Sequence, residues 1–192
     1  MSPLPESLLE SVAAAAVREG LADALYTRLS TPIGRLLVVQ GPEGLIRIAF
    51  ESEREDVALA EVAAALGPNV IGSDRELAAE RDALSGYFEG EPLSLPVDLR
   101  LMHAPFRRAV LEKLREVPRG DTVSYGELAA RAGNPRAARA VGSACARNPI
   151  PIVVPCHRVL PGTGRLGNYA GGPERKRALL TLEGALPTAP RP

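Results

Sequence analysis

Apolar and polar positions change their period along the chain, and each change marks an element. Residues 26–30, 34–40 and 44–50 are short runs of aliphatic, β-branched and aromatic residues. Pro32-Ile33-Gly34 and Gly41-Pro42-Glu43-Gly44 punctuate them, which predicts a small antiparallel sheet joined by tight turns. Ahead of it, residues 1–24 read as an Ala-rich helix of unfixed start, with 1–20 helical or partly disordered. Helical spacing follows over 53–66, stopped by Gly67-Pro68, and over 73–88, with Asp74 and Glu76 near the start and Gly90 past the end. Residues 91–99 are extended and interrupted by proline, as in a linker.

The second half is mostly helical. Apolar residues 106, 110, 111, 114 and 117 share one helical face, and Pro118-Arg119-Gly120 ends it. Ser124, with Glu127 three residues on, is a capping box for a helix over 125–132. Gly133-Asn134 is a tight turn, and Pro135 suits the first turn of a further helix reaching about Asn148. Helix, short turn and second helix is the helix-turn-helix pattern. The second helix carries Arg136, Arg139 and Arg147 among Ala137, Ala138, Ala140, Gly142, Ser143 and Ala144. Small residues suit either close approach to another surface or packing against the first helix. Ile152-Val153-Val154 reads as a short buried strand, and 162–172 as a Gly-rich loop leading to a helix over 173–183 that Gly184 ends. That loop lacks the spacing of a phosphate-binding loop, so its backbone is expected to line a pocket. The fold class is α/β (α+β): a sheet-containing domain over 1–99, a mostly helical domain over 100–185 and a tail over 186–192.

Composition narrows the function. The chain has 192 residues, 45% hydrophobic and 24% charged, which is ordinary for a soluble protein. No run is long enough to span a bilayer, and the N-terminal alanine run lacks the basic flank of a signal peptide. A cytoplasmic protein with no membrane partner is expected. Two cysteines without a CxxC pair argue against a structural zinc, and no cofactor is called for. The zero net charge hides a split: residues 1–103 carry 8 basic and 17 acidic side chains, net −9, and residues 104–192 carry 15 and 6, net +9. The basic half either meets an acidic partner such as nucleic acid or attracts the acidic half.

Within the basic half stands Asn148-Pro-Ile-Pro-Ile-Val-Val-Pro-Cys-His-Arg-Val159. It places one of two cysteines beside one of two histidines. The thiolate is the reactive form of cysteine, and a neighbouring base or cation favours it. A buried inert cysteine is the alternative. Adjacent residues of a strand face opposite ways, so Cys156 and His157 can cooperate only if the backbone turns or a water bridges them.

Asp121-Thr-Val-Ser-Tyr-Gly-Glu-Leu-Ala, Gly133-Asn-Pro-Arg-Ala-Ala-Arg-Ala-Val-Gly-Ser-Ala, the Pro-Cys-His-Arg-Val run and Leu166-Gly-Asn-Tyr-Ala-Gly-Gly resemble the O6-alkylguanine-DNA alkyltransferases, the methylated-DNA–protein-cysteine methyltransferases. The likeness runs from about Pro105 to Gly184, and more loosely through Thr31-Pro-Ile-Gly-Arg-Leu and Tyr87-Phe-Glu-Gly in the first half. It implies repair of duplex DNA containing O6-alkylguanine by flipping the base and moving the alkyl group once, irreversibly, onto Cys156. The resemblance makes His157 a base acting through a bridging water and Glu183 its orienting carboxylate. It makes Tyr125 a donor toward guanine N3 and Asn148 the holder of the turn before the cysteine. Arg139 would fill the space of the flipped base, with Ala137, Ala138, Ala140 and Gly142 fitting the minor groove. Backbone groups of Cys156, Val159 and Ala170 would read the guanine edge, and Tyr169 would form a pocket wall. No metal is implied, because the N-terminal metal-binding cysteines of some members are missing here. A monomer is expected, and O4-alkylthymine repair stays open. Two other readings compete: a protein that recognises alkylated bases without transfer, and a thiol hydrolase using Cys156 and His157.

Overall fold

The computed structural model describes residues 5–162 and 165–186. The chain divides into two compact units, Met1–Leu101 and Met102–Pro192.

In the first unit α1 (Glu6–Arg18) precedes a sheet of β1 (Ala24–Thr31), β2 (Gly34–Gly41), β3 (Gly44–Phe50) and β4 (Val70–Gly72), in the order β3-β2-β1-β4. The two predicted hairpins are present, in the register Leu29↔Leu36 and Val38↔Ile48. The sheet is not purely antiparallel, as expected, but mixed: β4 pairs parallel to β1, Leu25 opposite Ile71. Three residues are too few to leave a periodic signal. The first helix stops at Arg18, short of residue 24, where Gly20 takes φ +66°. The later helices also start within the predicted spans, α2 at Glu55–Leu66 and α3 at Ala78–Glu89. Ala24, Leu37, Val39, Ile46 and Ala49 of the sheet and Ala58 and Val62 of α2 form a buried cluster. The segment read as a linker is held by the sheet: Leu45 N–H donates to Pro96 O (2.9 Å) and Asp98 N–H to Leu45 O (2.8 Å). Gly44 (φ +134°) permits this approach, since a Cβ there would lie 2.5 Å from the Pro96 carbonyl carbon.

In the second unit α4 (Pro105–Leu114), α5 (Tyr125–Arg131) and α6 (Ala138–Ala146) pack together around Val110, Leu111, Leu114, Leu128, Ala129, Val141 and Ala144. The capping box forms as predicted: Ser124 Oγ accepts from Glu127 N–H (3.1 Å), and Glu127 Oε2 accepts from Ser124 N–H (2.8 Å). α6 begins at Ala138, not Pro135, because Asn134 engages the preceding amides: its carbonyl accepts from Ala137 N–H (3.0 Å) and its side chain from Arg136 N–H (3.3 Å). Two short strands, β5 (Val123–Ser124) and β6 (Val159–Leu160), pair in parallel. α7 (Pro173–Leu182) closes the unit.

The strand expected at Ile152-Val153-Val154 is a turn. Ile152 has φ +77°, and Val154 N–H bonds back to Ile150 O (2.9 Å). Pro149, Pro151 and Pro155 bring no N–H to a ladder. Asn148 binds two of the backbone groups that remain, Ile150 N–H on Oδ1 (3.0 Å) and Val154 O on Nδ2 (2.7 Å).

Candidate active site

A turn presents the cysteine. Pro155 (φ −83°, ψ 63°) sits at the centre of an inverse γ-turn closed by Cys156 N–H to Val154 O (2.8 Å). Cys156–Arg158 then forms a single 3-10 turn. With three residues per turn, neighbouring side chains project about 120° apart rather than to opposite faces. Cys156 can therefore face one wall while His157 and Arg158 reach a shared partner behind it. β6 follows at once, and its pairing with β5 brings Tyr125, the first residue of α5, beside the cysteine turn.

Behind the cysteine, His157 is fully buried and its Nε2 lies 3.1 Å from Glu183 Oε1. Arg158 binds the same carboxylate through two nitrogens, Nε to Oε2 (2.9 Å) and Nη2 to Oε1 (2.7 Å), and donates Nη1 to Val117 O (2.5 Å). Glu183 follows the last residue of α7, where a carboxylate is disfavoured by the helix dipole unless partnered. Burial raises its pKa, but the hydrogen bonds and charges of His157 and Arg158 outweigh this and hold it well below the carboxylate range. Burial also lowers the His157 pKa, against the pull of Glu183, so the imidazole is neutral near pH 7. Nδ1 of His157 is buried without a hydrogen-bond partner among the described residues. With Nε2 at Glu183, this nitrogen is the one left to accept a proton. The Tyr169 ring stands edge-on to the imidazole, centroids 6.4 Å apart at 88°.

In front of the cysteine is a pocket of about 330 Å³, lined by Tyr125, Gly142, Cys145, Ala146, Cys156, Asn168, Tyr169 and Ala170. Asn148 Nδ2 donates to Cys156 Sγ at 3.1 Å. Burial pushes the Cys156 thiol up to about 11, against the opposing effects of the Asn148 amide and the Lys176 charge. At neutral pH the resting sulfur is protonated, so attack requires a base. Burial also raises Tyr125, with the two cysteines adding to it, which keeps the phenol a proton donor.

The remaining expected residues are distributed as follows. Arg139 is exposed in the first turn of α6, with Ala138 and Ala140 half-buried beside it and Ala137 at the N-cap. Gly142 faces the pocket, and a Cβ there would meet the Tyr125 ring at 3.7 Å. Val159 is buried off the pocket wall and its carbonyl accepts from Lys176 Nζ (2.7 Å). Of the Gly-rich loop, Thr163 and Gly164 lie outside the described residues, and Asn168, Tyr169 and Ala170 reach the pocket. Sequence reasoning missed Lys176 and the pocket-facing position of Cys145. One signal was available: Lys176 lies seven residues before Glu183, two turns along one helical face.

Gly167 sits where the Gly-rich loop passes close to Pro161 and Tyr125. Its φ is +66°, and a Cβ would meet the Pro161 ring at 2.9 Å and Tyr125 Oη at 3.8 Å. Gly167→Ala should cost about 1–2 kcal/mol in backbone strain alone, seen as a lower thermal midpoint. An unchanged midpoint would show that the loop relaxes freely.

Known proteins match this arrangement. The family model for the ribonuclease-like domain of 6-O-methylguanine DNA methyltransferase matches residues 24–101, and that for its DNA-binding domain matches residues 105–185. A methylated-DNA–protein-cysteine methyltransferase of Methanosarcina acetivorans is 38% identical over 83% of this chain and 98% of its own length. One from Cricetulus griseus is 36% identical over 85% of this chain and 83% of its own. The crystal structure of Mycobacterium tuberculosis OGT in complex with DNA superposes with a TM-score of 0.72 at 36% identity, covering 84% of this chain and 93% of that one. Both halves of the chain are thus matched, and this chain belongs to the methylated-DNA–protein-cysteine methyltransferase family.

Proposed function

We propose that this chain repairs O6-alkylguanine in double-stranded DNA by taking the alkyl group onto Cys156, once per molecule. The observation that carries this reading is the position of Cys156. Its sulfur opens on a pocket beside α6, while the buried His157 and Glu183 and the part-buried Arg158 stand together behind it.

In the proposed reaction the DNA docks on α5 and α6, with Ala138, Ala140 and Gly142 against the minor groove. Arg139 occupies the space left by the flipped guanine, as chemistry on a stacked base demands its extrusion. The thiol proton passes through a water to His157 Nδ1, and Glu183 stabilises the imidazolium. The sulfur attacks the alkyl carbon: the S–C bond forms, the C–O6 bond breaks, and guanine leaves carrying the electron pair. Tyr125 donates toward N3 and lowers the cost of that charge. Asn148 holds the sulfur in line, backbone groups at Cys156 and Ala170 meet the guanine edge, and Tyr169 walls the pocket, whereas Val159 backs the site through its bond to Lys176. The thioether product has no leaving group, so the protein is spent after one transfer, without a cofactor. The second unit is the DNA-binding and acceptor domain. Among the described residues no helix is long and apolar enough to cross a membrane, and we place the protein in the cytoplasm as a monomer.

Mixing the protein with a duplex containing O6-methylguanine tests this reading. One methyl should appear per protein, on the peptide bearing Cys156, and a second equivalent of duplex should remain unrepaired. Binding without any gain of mass would instead favour a recognition protein that transfers nothing.

A further inference from the structure

Lys176 is a buried ionisable group that the mechanism above does not use. It is fully buried, although the chain otherwise uses arginine, 21 against 2 lysines. It stands on the same face of α7 as Leu179, Leu180 and Glu183, all buried. Glu183 and Lys176 thus meet the cysteine turn from one helix, roughly 10 Å apart along its axis. The carboxylate takes His157 and Arg158. The ammonium reaches past the turn to Val159 O (2.7 Å) and to Asn168 O of the pocket wall (3.4 Å). Among the described residues no carboxylate lies within 4 Å of it to form an ion pair.

A buried cation held only by carbonyl oxygens is costly unless an anion compensates it. The anions this site can make nearby are thiolates: Cys156 of the turn and Cys145 of α6 both interact electrostatically with Lys176. We propose that Lys176 is the countercharge of the Cys156 thiolate, a positioning residue that stabilises the sulfur anion as its proton leaves for His157. The proposal rests on Cys156 as the alkyl acceptor. It adds no atom to the reaction; the proton still passes from Sγ to the imidazole and the alkyl carbon from O6 to Sγ. Lys176 lowers the Cys156 pKa while burial raises it, and it also disfavours the His157 imidazolium, which Glu183 counters. The other groups facing this sulfur are Asn148, Tyr125 of α5 and Cys145, and Arg158 faces the imidazole through Glu183. The two charges of α7 therefore divide the work, Lys176 on the sulfur and Glu183 on the base. Lysine suits this place because its charge is compact, where a guanidinium would spread over a planar fork.

The test reads Cys156 itself, without DNA, so that it stands apart from the repair reaction. The rate at which iodoacetamide alkylates Cys156 is followed against pH by peptide mass mapping in wild type, Lys176→Met and Lys176→Arg. The Lys176→Met profile should move to higher pH by about one unit, slowing neutral-pH alkylation about tenfold, and Lys176→Arg should restore part of it. A Lys176→Met protein with a lower thermal midpoint but an unmoved profile would make Lys176 merely structural and overturn the proposal. Should that variant not fold, the wild type and Cys156→Ser are compared with 13C label in the ε-carbon of lysine. Only Lys113 and Lys176 give signals. By reciprocity of coupling, Lys176 should lose its proton at lower pH in Cys156→Ser, and identical titrations in the two proteins would overturn the proposal. Wild type that alkylates as expected yet takes no methyl from damaged DNA would sink the repair reading alone.

Discussion

A protein carrying Cys156→Ala is expected to gain no methyl group from a duplex containing O6-methylguanine, and still to bind that duplex. The second thiol makes this a demanding expectation, because Cys145 lines the same pocket. The two sulfurs differ in what surrounds them. Cys156 accepts a hydrogen bond from Asn148 and precedes His157, whereas among the described residues no side-chain hydrogen bond favours the Cys145 thiolate, and burial pushes that thiol far above its usual range. The substitution should leave the fold in place. Asn148 Nδ2 keeps Val154 O, Oδ1 keeps Ile150 N–H, and the loss of one buried sulfur costs on the order of 1 kcal/mol. Intact mass, peptide mapping and binding to labelled duplex measure the three quantities. A methyl on the Cys145 peptide would refute the argument that the surroundings select the nucleophile. Loss of binding together with transfer would mean that the thiol also holds the recognition surface.

Much of this site could be read from the chain because its determinants are local. Ser124 and Glu127 cap α5 through bonds three residues apart, and the Pro-Cys-His-Arg-Val run carries its chemistry in adjacent positions. The difficulty of adjacent residues facing apart in a strand had a local answer too, the γ-turn at Pro155 and the 3-10 turn after it. What the sequence concealed depends on partners far along the chain. β5 and β6 have two residues each, too few for any period, and gain meaning only from each other. β4 is similarly short and is defined by β1. Ile152 was misread because Ile-Val-Val has strand propensity, which the three prolines and the Asn148 side chain override. Lys176 was overlooked because a lysine in a polar-looking helix reads as solvated. Its burial follows from α7 packing against the cysteine turn.

Glu183→Gln tests that packing and the chemistry together. Near pH 7 the variant should be less stable by up to about 3–5 kcal/mol, since removing one partner leaves the part-buried Arg158 guanidinium without its countercharge. Methyl transfer should slow by on the order of a hundredfold, as the imidazolium loses its stabilising anion. The pH dependence gives the sharper reading. Glu183 is depressed in the folded protein, so its stabilisation is present above the ordinary carboxylate pKa and drains away as pH falls through and below it. His157 is depressed as well, by burial, so the unfolded chain begins to take up its proton first, as pH falls below the usual value of 6.5. Wild type should therefore lose stability on acidification in two stages, the histidine stage and then the carboxylate stage. The variant keeps the first and lacks the second. Thermal midpoints of the two proteins, far apart near neutrality, should converge below about pH 4. A gap that stays constant down to about pH 3 would show that Glu183 is not the charged hub of the cluster, and that Arg158 and His157 are held by something other than its carboxylate.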